Sequence, residues 1–479
     1  MSSLKQNAVL NAINTVTGII FPVITFPYAS RVLAPEGIGS VNFLSSIVQY
    51  IVLLTSLGIP MYAVREIAKY RENINIRNKI GVEIIILNLI LCLFGYIAVY
   101  LLGKHVPQIN AQLGLFYILS LTIFFTGISV EWFYRGIEDF KFITIRAIIV
   151  RTLAAISLFI FVRDKSDLLF YGAVTVGASV GNNIINFIHL RKHIQIREIP
   201  WKRLEVARHI KPALHIFILS LITSIYVNLD SVMLGFIKGE SAVGLYSAGV
   251  KLSHVVLSLV TSLGVVMIPR CSNLIQNGDH ENFSRICGKA IRLVIATALP
   301  MCIGLILLAY PIIILFCGRE FVQSALVLQW VAPIILFVGI TNVLGLQVLY
   351  PQNRENTVIW SVAGGAFINL CLNLWLIPKY AQTGAAIATC IAEFVVLLLQ
   401  VVLGRKYIPF KFSDCKLQQY VPAVLLMALS VLVVRSVGVS NLFVQMILSV
   451  CIGGAVYGGY LLLIKNETAE EIVRLILKK

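Results

Sequence analysis

A chain of 479 residues, 58% apolar and 13% charged with mean hydropathy +0.88, has more apolar surface than a water-soluble fold of that size can cover. The net charge of +17 would suggest nucleic acid in a soluble protein, but in a membrane protein Lys and Arg first report topology. Nine scattered cysteines with no CxxC pair argue against a disulfide or metal framework, and most of them sit in apolar runs as small membrane-compatible residues.

The first stretch, MSSLKQNAVLNAINTVTGII, has no small-residue cleavage site followed by a polar domain, so it reads as the first span rather than a signal peptide. Apolar runs of spanning length then follow one another with short connections and no inserted soluble domain. They fall at roughly 8–29, 38–62, 80–102, 113–134, 145–162, 168–190, 213–236, 244–268, 289–316, 325–350, 357–377, 384–403, 419–437 and 442–464. The expected fold is therefore an all-α polytopic membrane protein with about fourteen transmembrane helices.

Placing the N-terminus in the cytoplasm puts the heaviest basic loops on that side, together with both termini. These loops are VREIAKYRENINIRNK at 64–79, RKHIQIREIPWKRLEVARHIKP at 191–212 and GRKYIPFKFSDCK at 404–416. Most of the charge is thus topology signal, and no nucleic-acid partner is implied. The 191–212 segment mixes Ile194, Ile196, Ile199, Trp201 and Leu204 with its bases and is expected to lie in the headgroup layer as an amphipathic linker. The tail NETAEEIVRLILKK offers a T-x-x-E capping pattern at Thr468 and Glu471 and reads as a short interfacial helix.

The chain also repeats itself weakly. SRVLAPEGIGSVNF at 30–43 parallels SVMLGFIKGESAVGLYSA at 231–248, SLG at 56–58 recurs at 262–264, FFTGI at 124–128 parallels LFVGI at 336–340, and YGAVTVGASVG at 171–181 parallels TGAAIATCIAE at 383–393. The matches keep their order, which points to duplication of a six-span unit. Six is even, so both copies keep one orientation. That predicts two six-helix lobes related by an axis along the membrane normal, with the last two spans outside the duplication. The expected division is an N-lobe over 1–190, the linker over 191–212, a C-lobe over 213–403, and the two extra spans with the tail over 404–479.

Three stretches, FPYASRVLAPEGIGSVNF (26–43), VEWFYRGIEDFKFITIRAII (130–149) and YVNLDSVMLGFIKGESAVGLYSAGVKL (226–252), resemble bacterial polysaccharide and O-antigen flippases of the Wzx type. These form a branch of the multidrug/oligosaccharidyl-lipid/polysaccharide exporter superfamily, and the likeness extends over nearly the whole chain. The resemblance implies a transporter and not an enzyme. It would move an undecaprenyl-diphosphate oligosaccharide from the cytoplasmic to the periplasmic leaflet of the inner membrane, by alternating access around a central cavity often lined by cations. It implies H⁺ or Na⁺ as coupling ion, membrane lipids as surroundings, and polymerase or chain-length proteins as possible partners. No cofactor is expected, and the chain has no G-x-x-x-x-G-K-[ST] phosphate loop.

An ionisable residue inside a span is costly, about 2.5–3.5 kcal/mol on insertion scales, and asks for a reason. A diphosphate cargo supplies one, because guanidinium and ammonium groups can replace its hydration with charge-assisted hydrogen bonds. Arg146 and Arg151 in ITIRAIIVRTLAAISLFI are the leading candidates; Arg146 could instead snorkel to the cytoplasmic interface, and Arg151 could pair structurally. Lys251 is a further candidate, or a structural partner of Asp230. Arg31 sits near the outer mouth, as cargo contact or interface anchor. Asn11 and Asn14, at helical spacing in the first span, suit sugar hydroxyls or interhelical hydrogen bonds. Glu393, Asp230 and Glu131 are candidates for ion coupling, since a carboxylate in low dielectric can carry a proton; Glu131 could alternatively pair with Arg135 one turn on.

Competing readings are a peptidoglycan-precursor flippase, whose cargo is also a diphosphate lipid, and a multidrug/cation antiporter, which would favour an acidic cavity where this chain's deep charges lean basic. A membrane-embedded polymerase or glycosyltransferase would need a sizeable external loop or soluble domain. No paired loop carboxylates, metal-ligand cluster or nucleophile triad supports catalysis. Glu138 and Asp139 read as a solvated charge cluster with Arg135 and Lys141.

Overall fold

The computed structural model describes residues 4–194, 201–265 and 267–471, and among these every regular element is helical. The chain divides into two compact units, Met1–Gly244 and Leu245–Lys479. The first holds α1 (Leu4–Ser56), α2 (Ile59–Lys69), α3 (Ile74–His105), α4 (Pro107–Asn110), α5 (Leu113–Gly127), α6 (Glu131–Gly136), α7 (Phe140–Phe161), α8 (Leu168–Leu190), α9 (Ile210–Lys238) and the start of α10 (Glu240–Val265). The second holds the rest of α10, then α11 (Ile268–Gln276), α12 (His280–Cys317), α13 (Ser324–Val331), α14 (Ile334–Asn342), α15 (Glu355–Gly404), α16 (Leu417–Ser436) and α17 (Leu442–Leu463).

Eleven stretches of the described residues are long and apolar enough to cross a membrane. Two of them, in α1 and α15, each contain two helices joined at a single non-helical residue, and the 29-residue helix α9 stands where the seventh span was expected. Helices thus stand at all fourteen expected positions. Their outer faces carry large bare side chains such as Trp360, Phe367, Leu425 and Leu429, which water would not tolerate and lipid does.

The first two spans were expected to be separated by a loop, with Arg31 just outside the first. Instead α1 runs helical up to Ala34 (φ 59°, ψ 178°) and resumes directly, so Arg31 lies within the helix. Proline disfavours the α region in the residue before it and suits the first turn of a helix, so Ala34-Pro35 ends one helix and begins the next in one step. In α15 the break falls at Ala381 (φ 48°, ψ −128°), three residues after Pro378. The tenth span, expected as one helix over 325–350, is built from α13, α14 and a π-helical segment Val343–Leu349.

The break in α1 has a counterpart. Gly239, between α9 and α10, has φ 83° and ψ −178°, close to the values at Ala34. The two positions correspond in the repeated motif, 205 residues apart, as do Pro35 with Glu240 and Gly39 with Gly244. The two copies touch reciprocally within the first unit. A Cβ on Gly39 would stand 1.7 Å from the Glu240 carbonyl oxygen, and one on Gly244 would stand 1.8 Å from that of Pro35. Only glycine permits either approach. Beside this contact the Glu240 carboxylate accepts hydrogen bonds from Ser40 Oγ (2.7 Å) and Gln112 Nε2 (2.6 and 2.7 Å).

At the other end of the first unit α2, α6 and the starts of α3 and α7 bury a cluster around Ile67, Ile84, Phe133, Tyr134 and Ile143. Asn73 and Asp139 cap α3 and α7 by accepting from Ile76 N and Phe142 N. In the second unit Asp279 and Asn441 do the same for α12 and α17.

Candidate functional site

The run that seats Arg146 and Arg151 forms α7, whose Asp139 cap fixes its start. The two arginines are about 7.5 Å apart along the axis and about 140° apart around it, and they meet different surroundings. Arg151 reaches the first arm of α1. Its Nη1 donates to Asn14 O (2.9 Å), Asn14 Oδ1 (3.1 Å) and Thr17 Oγ1 (2.8 Å). The guanidinium lies over Gly18, where a Cβ would stand 3.4 Å from Nη2, an ordinary van der Waals contact. The group is only partly buried, and Nε and Nη2 make no hydrogen bond to a described residue. One nitrogen is thus locked while the remaining edge of the fork is presented. The nearby Thr144 hydroxyl, which donates to Leu10 O at 3.0 Å, fastens the same pair of helices lower down.

Arg146 is 3% exposed and turns inward to Glu131, with Nη2 to Oε2 at 3.0 Å, and its guanidinium lies 5.5 Å from the Phe142 ring centre. Arg135 grips the other oxygen, Nε and Nη2 lying 2.9 and 2.8 Å from Glu131 Oε1. Glu131 therefore bridges two arginines, and the Glu131–Arg135 pairing one turn apart is formed. Arg146 Nε and Nη1 are buried without a partner among the described residues, as is Asn182 Oδ1 and both amide atoms of Asn186 on α8. Val150 meets Gly181 across the α7–α8 interface, which sets these groups at one level, where ordered water is the ordinary way to satisfy them.

A second polar centre joins α2, α3 and the segment leading into α9. Glu83 is fully buried and accepts from Glu205 N (2.7 Å), Arg208 Nη2 (2.5 Å) and His209 Nε2 (2.9 Å). Tyr62 O–H meets His209 Nδ1 at 2.7 Å. This arrangement suits a neutral imidazole that donates from Nε2 and accepts at Nδ1. Burial pushes the His209 pKa down from its ordinary 6.5, against the pull of Glu83. The linker is thereby fastened to the first unit by buried charge and by Ile194 and Leu204, which pack in the cluster around Phe133 rather than in a headgroup layer, while Ile196 and Ile199 lie outside the described residues. Glu83 falls within the expected third span, 80–102, where an acid is conspicuous. His209 and Tyr62 carry no such signal, because nothing local ties residues 147 positions apart.

The remaining candidates lie on other elements. Arg31 lies on α1 about 25 Å along the helix from Asn14, and is exposed. Asp230 is 4% exposed on α9 in the first unit, while Lys251 on α10 and Glu393 on α15 belong to the second. The side chain of Asn11 lies outside the described residues. Of the sequence candidates, then, the structure brings together Arg151 with Asn14, and Arg146 with Glu131. Thr17 was missed, although its place three residues after Asn14 on one helical face could have revealed it.

The family model "Polysaccharide biosynthesis protein" matches residues 4–275, and the MatE model matches residues 216–375. A protein of Escherichia coli K12 described as a candidate O-antigen transporter is 24% identical over 84% of this chain and 97% of its own length. A Staphylococcus aureus capsular polysaccharide biosynthesis protein, CapF, is 24% identical over 77% of this chain and 91% of its own. Among solved structures, the lipid II flippase MurJ in an inward closed conformation has TM-score 0.76 at 16% identity, over 96% of this chain and 99% of that one. An inward-facing multidrug transporter of the MATE family has TM-score 0.67 at 14% identity, over 86% and 99%.

Proposed function

Since the chain belongs to the polysaccharide biosynthesis protein family, as a Wzx-type flippase of the multidrug/oligosaccharidyl-lipid/polysaccharide exporter superfamily, we propose that its cargo is an undecaprenyl-diphosphate oligosaccharide. The direction in this reading is from the cytoplasmic to the periplasmic leaflet of the inner membrane, with both termini cytoplasmic, an H⁺ or Na⁺ gradient as the drive, and a polymerase receiving the product.

The observation that carries the reading is Arg151. A guanidinium inside a span is costly, and this one is held on α1 through Nη1 with its other edge presented. That is how a fork can be preorganised for a phosphate oxygen pair. Asn14 serves here by orienting the arginine. Arg146 serves as an internal strut through Glu131, which makes Glu131 structural and leaves Glu393 and Asp230 as the coupling candidates. Lys251 and Arg31 would meet the anion at other depths.

The test is flipping of a labelled undecaprenyl-diphosphate oligosaccharide in proteoliposomes under imposed H⁺ or Na⁺ gradients. Arg151→Ala is expected to lower the rate about 10- to 100-fold, the loss of one or two charge-assisted hydrogen bonds, and Arg151→Lys to recover only part. Unchanged flipping by Arg151→Ala moves the anion site away from α7. Transport of lipid II in place of the oligosaccharide lipid, or of a cationic dye alone, overturns the cargo.

A further inference from the structure

In the second unit, α12 is 38 residues long, about 57 Å against a hydrocarbon core of about 30 Å, so its first turns stand outside the core. Beside those turns lies a cavity of about 740 Å³. Its cations come from α11 and α12: Arg270, Lys289 and Arg292. Its anions come from one place, the segment that follows α17: Glu467, Glu470 and Glu471. Three positive charges thus face three negative ones supplied by the chain's own tail.

The tail holds its backbone and its carboxylates in different ways. Asn466 is buried, donates to Gln419 Oε1 at 2.6 Å, and caps the tail's first turn by accepting from Thr468 N (3.0 Å) and Ala469 N (3.2 Å). Thr468, also buried, takes a hydrogen bond from Tyr420 at 3.1 Å. The T-x-x-E cap expected at Thr468 and Glu471 is replaced by this Asn466 cap, because the Thr468 hydroxyl is spent on Tyr420 and Glu471 reaches Lys289. The carboxylates are on the rim. Glu471 meets Lys289 at 2.5 Å and Glu467 meets Lys416 at 3.1 Å, and the two glutamates are 55% and 68% exposed. Lys416 foremost, with Arg292 and Lys289 behind it, holds the Glu467 carboxyl below its usual range.

We propose that this cavity is a binding site for a phosphate-bearing lipid headgroup of net negative charge, self-occupied by the tail glutamates, which swing aside when the headgroup enters. Exposed ion pairs contribute little, whereas phosphate takes bidentate, charge-assisted bonds from arginine. The cavity is within the size range of small-molecule pockets. The buried Asn466 and Thr468 keep the tail backbone in place, so displacement needs side-chain rotation only.

The experiment measures retention of added lipid by the full-length protein in neutral phosphatidylcholine nanodiscs, using native mass spectrometry. The probes are cardiolipin and undecaprenyl diphosphate, with phosphatidylcholine as background. Arg270→Gln with Arg292→Gln is expected to weaken retention about tenfold or more, the scale of one lost charge-assisted bond. Glu467→Gln, Glu470→Gln and Glu471→Gln together are expected to tighten it by a similar factor. Opposite shifts from surface changes cannot arise from misfolding. Retention of cardiolipin alone identifies a membrane-phospholipid site, and preference for undecaprenyl diphosphate identifies a cargo-docking site; both support a phosphate-headgroup cavity. No retention above background, or a neutralised tail that binds no better than the native one, overturns it.

Discussion

The two arginines of α7 differ in what surrounds them, and substitution should separate them. Glu131→Gln leaves Arg146 buried without a counter-charge, and is expected to cost about 3–5 kcal/mol. Arg146→Met removes the buried charge and leaves Glu131, 29% exposed, still bonded to Arg135; it is expected to cost under about 1 kcal/mol. Unfolding of the purified variants in detergent measures the difference. Equal losses would mean that Arg146 is not confined by its pairing with Glu131. The sequence marked both arginines as worth a reason, because apolar runs make charge conspicuous. Which one faces inward depended on Glu131 arriving from a separate short helix, and on Asn14 and Thr17 of α1 receiving Arg151, neither of which spacing along α7 can state.

Two elements carry predictions of their own. Gly39→Ala and Gly244→Ala each place a methyl group within 2 Å of a backbone oxygen, so each is expected to destabilise by about 1–3 kcal/mol or more. The double substitution should cost less than the sum, since one separation relieves both clashes; thermal unfolding of the three variants checks this. The linker should respond to pH. His209 holds a lowered pKa in the folded state, so the unfolded or released segment binds the proton more readily. The clasp is therefore complete above about pH 6.5 and weakens as pH falls below it. Hydrogen exchange of residues 201–209 at pH 7.5 and 5.5 should show faster opening at the lower pH. His209→Gln should flatten that difference, and a flat profile in the native protein would remove the imidazole from the clasp.

For the whole molecule, composition alone was decisive on class, and hydropathy marked positions at each of which the structure has a helix. It could not show that the first two and the eleventh and twelfth are joined through single residues, because one strained backbone position such as Ala34 or Ala381 leaves no mark in an apolar average. The Lys and Arg bias predicts the sidedness. In a background without native cysteines, Arg71→Cys and Arg405→Cys should react with a membrane-impermeant thiol reagent only in inverted vesicles, and Lys104→Cys only in right-side-out ones. The opposite pattern would reverse the orientation. The weak internal match is most informative around Gly39 and Gly244, which meet within the first unit. Between 34–40 and 239–245 the copies have diverged at every position except the glycine, Gly39 and Gly244. Each glycine admits the backbone oxygen of the other copy, and the oxygens come from corresponding positions. A contact that maps onto itself when partners are exchanged is the contact an isologous dimer makes at its axis. A chain of half this length, paired with a second copy of itself, would already have possessed this junction in full, with one glycine codon serving both sides.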